Sequence, residues 1–264
     1  MSTVLTNTAE SVTTNADGGF DIKGFDNQKN VFFGSSSRDV MLGGDKGNDF
    51  FGDAGDDFII GGQDIDNLSG GDGNDTINAG GGNDAIDGGS GSDLIDAGKG
   101  DDLVNGDRGR DQINAGAGDD IVSGGNARDI IDAGAGDDIV SGDSGHDIVD
   151  GGRGNDRLSG GGGNDQLVGR GGDDLLIGGA GRDVLRGGKG DDTYVFDLKD
   201  FKGKPDRIQG FKSGKDSIII TGIGKNAEIT IEGNKLIVDG DIIARGARGA
   251  EASDVQIDND FELF

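Results

Sequence analysis

This chain contains no cysteine and no tryptophan, and only one proline, one tyrosine and one histidine among 264 residues. Without cysteine there can be no disulfide framework, and with a single histidine besides there is no ordinary zinc site. No apolar run approaches the roughly 18 residues that a membrane-crossing helix requires. Large aliphatic and aromatic residues are sparse, with Leu, Ile, Val and Phe together under a quarter of the chain. Positive charge is scarce as well: 24 Lys and Arg stand against 51 Asp and Glu, a net charge of −27. That acidity argues against nucleic acid and anionic membranes as direct partners. Such a composition borders on that of a disordered protein, because little apolar burial is available to offset the entropy of ordering. A stable fold needs something to neutralise the carboxylates.

What is abundant is glycine, with 57 residues, and aspartate at a fixed interval. From Asp57 to Asp192 an aspartate falls every nine residues: Asp57, Asp66, Asp75, Asp84, Asp93, Asp102, Asp111, Asp120, Asp129, Asp138, Asp147, Asp156, Asp165, Asp174, Asp183 and Asp192. Two residues after each comes a large apolar residue, from Ile59 and Leu68 through to Leu185 and Tyr194. A fixed period signals a repeat architecture. Because the period puts one carboxylate at the same place in every repeat, it also points to metal binding.

Gly160-Gly161-Gly162-Gly163-Asn164-Asp165-Gln166-Leu167-Val168 fits the pattern G-G-x-G-x-D-x-U-x, with U a large apolar residue. Over residues 34–196 the chain therefore resembles the RTX, or haemolysin-type, calcium-binding repeat proteins. The resemblance implies an all-β fold: a parallel β-roll of 18 residues per turn, each nonapeptide giving a glycine-rich turn and a short strand. It implies several calcium ions, held between loops two repeats apart by Asp(n), Asp(n+18) and turn carbonyls, since calcium takes six to eight oxygens and one loop cannot supply them. The expected ligands are Asp49, Asp57, Asp75, Asp84, Asp93, Asp102, Asp111, Asp120, Asp138, Asp147, Asp156, Asp165, Asp174, Asp183 and Asp192. Asp39 and Asp49 continue the run at spacings of ten and eight, which predicts distorted first turns.

Some repeats deviate. Asp64 and Ala127 replace the fourth-position glycine; Asp53, Asp107, Asp143 and Arg170 replace the second. The loops ending in Asp66 and Asp129 are the expected weak or empty sites, and Arg110, Arg128 and Arg182 are placed to neutralise their loops. Leu103, Ile121, Ile130, Ile139 and Ile148 fall at outward positions and could form a patch for a surface partner or self-association.

Three parts are expected: an N-terminal cap (1–33), the roll (34–196) and a β-rich C-terminal cap (197–264). In the last, Asp206–Ile218 resembles the segment D-x-I-x-D-F-x-x-G-x-D-x-I that follows many RTX rolls, with Gly210 in place of the central aspartate. Gly233-Asn234 reads as a hairpin turn. Residues 1–20 lack the features of a cleaved signal peptide. The ending Asp258-Asn259-Asp260-Phe261-Glu262-Leu263-Phe264 is similar to the uncleaved C-terminal signal of type I secreted relatives, which implies a type I exporter as partner and an extracellular location. Gly142-Asp143-Ser144-Gly145 echoes a protease nucleophile segment but lies in register inside a repeat, and no phosphate-loop, metalloprotease or nucleophile-elbow motif is present. The expected function is that of a secreted, non-catalytic calcium-binding protein. The alternative is a folding and secretion module cut from a larger RTX enzyme or toxin.

Overall fold

A computed structural model describes residues 11–224 and 227–258. The fold is all-β, with strands of two to six residues and one 3-10 turn at Ala252–Asp254. Contacts between residues divide the chain into two units, Met1–Gly134 and Ala135–Phe264.

In the first unit two parallel ladders alternate along the chain. One runs through Phe20–Lys23, Val40–Leu42, Phe58–Gly62, Thr76–Gly81, Leu94–Lys99 and Gln112–Ala117; the other through Asn30–Phe33, Asn48–Phe51, Asn67–Asp72, Ala85–Ser90, Leu103–Asn105 and Ile121–Ser123. From Asn30 onward successive strands of a ladder are offset by 18 residues, as Ile59↔Ile77↔Ile95↔Ile113 shows. This is a β-solenoid with two nonapeptides per turn. Ser11–Thr14 pairs antiparallel with Phe20–Lys23 at its start.

Side chains alternate across each strand, so the residue two after each aspartate points inward. Ile59, Ile77 and Ile95 form one buried column, and Phe32, Phe50, Leu68, Ile86, Val104 and Val122 form the other. The Phe32 and Phe50 rings stack with centroids 5.1 Å apart. Each such side chain contributes roughly 1.5–3 kcal/mol on burial. One residue per nonapeptide makes a thin core.

The first turns are distorted, though not through the aspartate spacings: one extra residue offsets Phe20–Lys23 from Val40–Leu42, as Ile22↔Met41 shows, and no residue of 34–48 takes a positive φ. Asn48 aligns with Asp66 and Asn30 with Asn48, each 18 residues apart, while Asp39 aligns with Asp57. The nine-residue period therefore extends back to Asn30, with asparagine at two positions. Following the nearest aspartates rather than the period gives the apparent spacings of ten and eight.

The second unit repeats the arrangement. One ladder contains Ile148–Arg153, Gln166–Gly171, Val184–Lys189, Asp206–Ile208 and Asp241–Arg245; the other contains Ile139–Ser141, Arg157–Ser159, Leu175–Ile177, Thr193–Asp197, Ser217–Thr221 and Val255–Ile257. Ile229–Glu232 and Lys235–Val238 form an antiparallel hairpin about Gly233-Asn234, and Asp241–Arg245 joins it. The core columns end in Leu176–Tyr194–Ile218 and Leu167–Leu185–Ile208. Tyr194 is fully buried and its hydroxyl accepts the Gly187 N–H at 2.9 Å.

Candidate metal centre

Each repeat aspartate ends a turn and opens a strand, which places its carboxyl under the turn. All sixteen are buried, at 0–2% exposure. Burial is possible because one oxygen is committed to the backbone. In the first unit Asp57 N–H donates to Asp75 Oδ1, Asp75 N–H to Asp93 Oδ1 and Asp93 N–H to Asp111 Oδ1, at 2.7–2.8 Å. Asp66, Asp84 and Asp102 repeat this on the other edge. In the second unit Asp147, Asp165 and Asp183 form one such chain, and Asp138, Asp156, Asp174 and Asp192 another. In each unit both edges thus carry a carboxylate column.

The other oxygen has no such partner. Oδ2 of Asp57, Asp66, Asp75, Asp84, Asp93, Asp102, Asp111, Asp156, Asp165, Asp174, Asp183 and Asp192 is buried and accepts no hydrogen bond. A buried charge without a partner is strongly unfavourable. The columns respond as electrostatics requires. Burial pushes the carboxyls of Asp57, Asp66, Asp156 and Asp165 up to about 7, against the opposing pull of the backbone N–H; neighbouring column carboxylates add to the rise. Asp75, Asp93, Asp102, Asp111, Asp174 and Asp183 rise to about 6 by burial.

The orphan oxygen faces a carbonyl. A Cβ added at Gly106 would lie 2.8 Å from Asp111 Oδ2 and 2.6 Å from the Gly124 carbonyl oxygen; one at Gly160 would lie 2.7 Å from Asp165 Oδ2 and 2.6 Å from the Gly178 carbonyl oxygen. The first glycine of the repeat leaves room where carboxylate and carbonyl oxygens converge. Among the described residues no three Asp, Glu, His or Cys side chains gather at one point. A cation held here draws its remaining ligands from the backbone, which is oxygen chemistry suited to calcium.

Lys212 shows what this donor set attracts. Its Nζ donates to the carbonyls of Gly188 and, at 3.3 Å, Gly190, and lies 3.9 Å from Asp192 Oδ2. An ammonium group thus occupies the neighbourhood of an orphan carboxylate oxygen and turn carbonyls.

Not every expected ligand joins a column. Asp49 does not: it pairs in register with Asn67, points outward and forms an ion pair with Lys29 at 2.8 Å. Asn48 holds the column position, and its amide donates to Asp66 Oδ1 at 2.8 Å. The structure also brings in residues outside the expected set. Asp66 and Asp129 are placed like the rest, each accepting the N–H of the column residue 18 positions earlier. Asp206 and Asp216 extend the columns, accepting the N–H groups of Asp183 and Asp192. Their signal is the surviving D-x-I, as Asp206-Arg207-Ile208 and Asp216-Ser217-Ile218.

The turns tolerate most substitutions of glycine. Asp53, Asp107, Asp143, Arg170 and Ala127 all take positive φ, between 63° and 83°. Asp64 does not join them, and neither does Gly62 in the same loop.

No curated protein matches this chain. The family model of the RTX calcium-binding nonapeptide repeat matches residues 33–68, 60–95, 87–122, 96–131, 123–158 and 159–194. These segments cover more than half of the chain and every aspartate from Asp57 to Asp192, and the protein belongs to the RTX calcium-binding repeat family.

Proposed function

We propose that this is a secreted, non-catalytic protein that folds when it meets extracellular calcium and then acts as an extracellular binding or surface protein. The orphan Oδ2 atoms of the column aspartates carry this reading. Buried carboxylate oxygens without a protein donor make the fold unfavourable until cations fill the columns, so binding free energy becomes folding free energy. The proposed ligands are Asp57, Asp75, Asp84, Asp93, Asp102, Asp111, Asp120, Asp138, Asp147, Asp156, Asp165, Asp174, Asp183 and Asp192, joined by Asp66 and Asp129. In low calcium, 51 acidic residues keep the chain extended and fit for passage through a type I exporter. The sequence ending supports the C-terminal signal; of it, residues 259–264 lie outside the described residues. Leu103 and Ile121, side by side on one sheet and about half exposed, support a role at a surface.

Calcium titration followed by circular dichroism and small-angle scattering tests the reading. The expected result is a cooperative passage from an expanded chain to a β-rich one in millimolar calcium, with magnesium a poor substitute. A compact β-rich chain in excess chelator at neutral pH would refute it. Deleting Asp258–Phe264 should retain the chain inside cells carrying the exporter; undiminished secretion would refute the signal alone.

A further inference from the structure

We infer that the C-terminal segment carries a binding groove for a compact multivalent oxyanion. The groove, of about 1010 Å³, is lined by Arg182, Arg207, Arg245 and Arg248 over an apolar floor that includes Pro205, Ile208 and Phe211. Four arginines line this one groove in a chain of net charge −27. Among the described residues none of the four forms an ion pair or a side-chain hydrogen bond, although acidic residues outnumber basic ones two to one. Asp206 also lines the groove, but it is buried and its Oδ1 accepts the Asp183 N–H.

The strand register makes the arrangement unfavourable without a ligand. Arg207 lies directly beside Arg245 on the neighbouring strand, and Arg245 directly beside Lys235 on the next. Like charges set opposite one another across strands are destabilising. Glu232 stands opposite Lys235 on the following strand, so Arg207 and Arg245, about 4.8 Å apart, are the two cations of the row without an acidic neighbour across the strands. A ligand with two or more carboxylate, sulfate or phosphate groups at that separation would satisfy the row. Each guanidinium can engage an oxyanion through two parallel N–H donors. Pro205, only partly buried, lines the groove beside the row and gives the ligand's body an apolar contact. The size is limited by the rest of the molecule: beyond the row, the acidic surface repels an extended polyanion.

The test is calorimetric titration of the full chain in calcium with 1,5-naphthalenedisulfonate and inorganic sulfate, chosen because sulfonate and sulfate leave calcium in solution. Circular dichroism on the same samples monitors the fold. The disulfonate should bind one to one and about tenfold more tightly than sulfate, the gain expected from a second charge-assisted contact. Arg207→Gln and Arg245→Gln should each weaken it about tenfold, while Arg108→Gln, an exposed arginine of the first unit, should not. No binding, equal weakening by Arg108→Gln, or sulfate binding as tightly as the disulfonate would each overturn the inference. Tighter binding of dextran sulfate per charge would overturn its size limit.

Discussion

Removing calcium and then adding acid should fold the chain. In the folded state burial raises the Asp57 carboxyl from 3.8 to about 7. In the unfolded chain it titrates near its ordinary value. Between those pH values the folded state holds a proton that the unfolded state has lost, so the fold loses stability as pH rises from about 4 to about 7 and is favoured below that window. For this one group the difference amounts to roughly 2–4 kcal/mol, the lower figure allowing for solvent screening. Asp66, Asp156, Asp165 and Asp206 titrate in the same range, so together these groups rival the roughly 5–15 kcal/mol that holds a typical domain together. Without calcium, neutral pH should therefore leave the chain unfolded, and pH 5 should restore β-structure by protonating the columns. With calcium the sign reverses. The cation needs the ionised form, so protons compete with it, and the calcium midpoint should rise as pH falls from 7 to 5. Circular dichroism in calcium-depleted buffers, stepped from pH 8 to pH 5 and kept above the pI of about 4.1, measures the first effect; calcium titrations at each pH measure the second. Equal β-content at pH 8 and pH 5 without calcium would refute the argument, because the orphan oxygens would then carry no penalty.

Three substitutions probe other contacts. Asp93→Ala removes an orphan oxygen and the acceptor of the Asp75 N–H, so it should raise the calcium midpoint and cost about 2–4 kcal/mol at saturation, whereas Asp72→Ala, an exposed change of equal charge, should do little; equal effects would dismiss the column. Ala127→Gly should stabilise the calcium form by about 1 kcal/mol in a urea titration, since Ala127 sits at φ 83° where a Cβ is strained. Tyr194→Phe leaves the buried Gly187 N–H without an acceptor and should cost about 1–3 kcal/mol by thermal unfolding.

Much of this molecule is legible in its sequence because a solenoid is nearly one-dimensional. The D-x-U spacing fixes which residue is buried under a turn and which points into the core, and the 18-residue register follows from two such units per coil. Legibility fails where identity and period part company. Asn48 has the shape of aspartate and keeps the period, whereas Asp49 has the charge and loses it; the fold follows shape and period. Between Asp183 and Asp206 five extra residues intervene, and between Asp192 and Asp216 six, so counting by nines misses both, although the local D-x-I survives. The Lys212 contacts cannot be read at all. They depend on a long side chain reaching back more than twenty residues to Gly188 and Gly190, a distance that no periodicity encodes. Asp64 stands in place of glycine, but nothing in its sequence separates it from Ala127, which keeps the left-handed turn.

The ends of the columns are served differently from the interior. In the first unit the run from Asn30 to Asp66 is joined by amide hydrogen bonds: Asn30 Nδ2 donates to Asn48 Oδ1, and Asn48 Nδ2 to Asp66 Oδ1. An amide supplies both an acceptor for the backbone and a donor for the next residue, so two asparagines in line need no ion. In the second unit the ammonium of Lys212 approaches Asp192 Oδ2 and bonds the turn carbonyls. The chain thus has two ways of serving this position from within, a neutral donor and a tethered cation. Along Asp57, Asp75, Asp93 and Asp111 it uses neither: every position is a carboxylate, every Oδ1 accepts a backbone N–H, and every Oδ2 is buried without a donor. A carboxylate in place of asparagine removes the donor and adds a charge, both unfavourable in a buried turn unless a free cation supplies what the side chain lacks. On the proposed reading, repeating that choice makes folding conditional on calcium, while the asparagine and lysine ends can be satisfied without it.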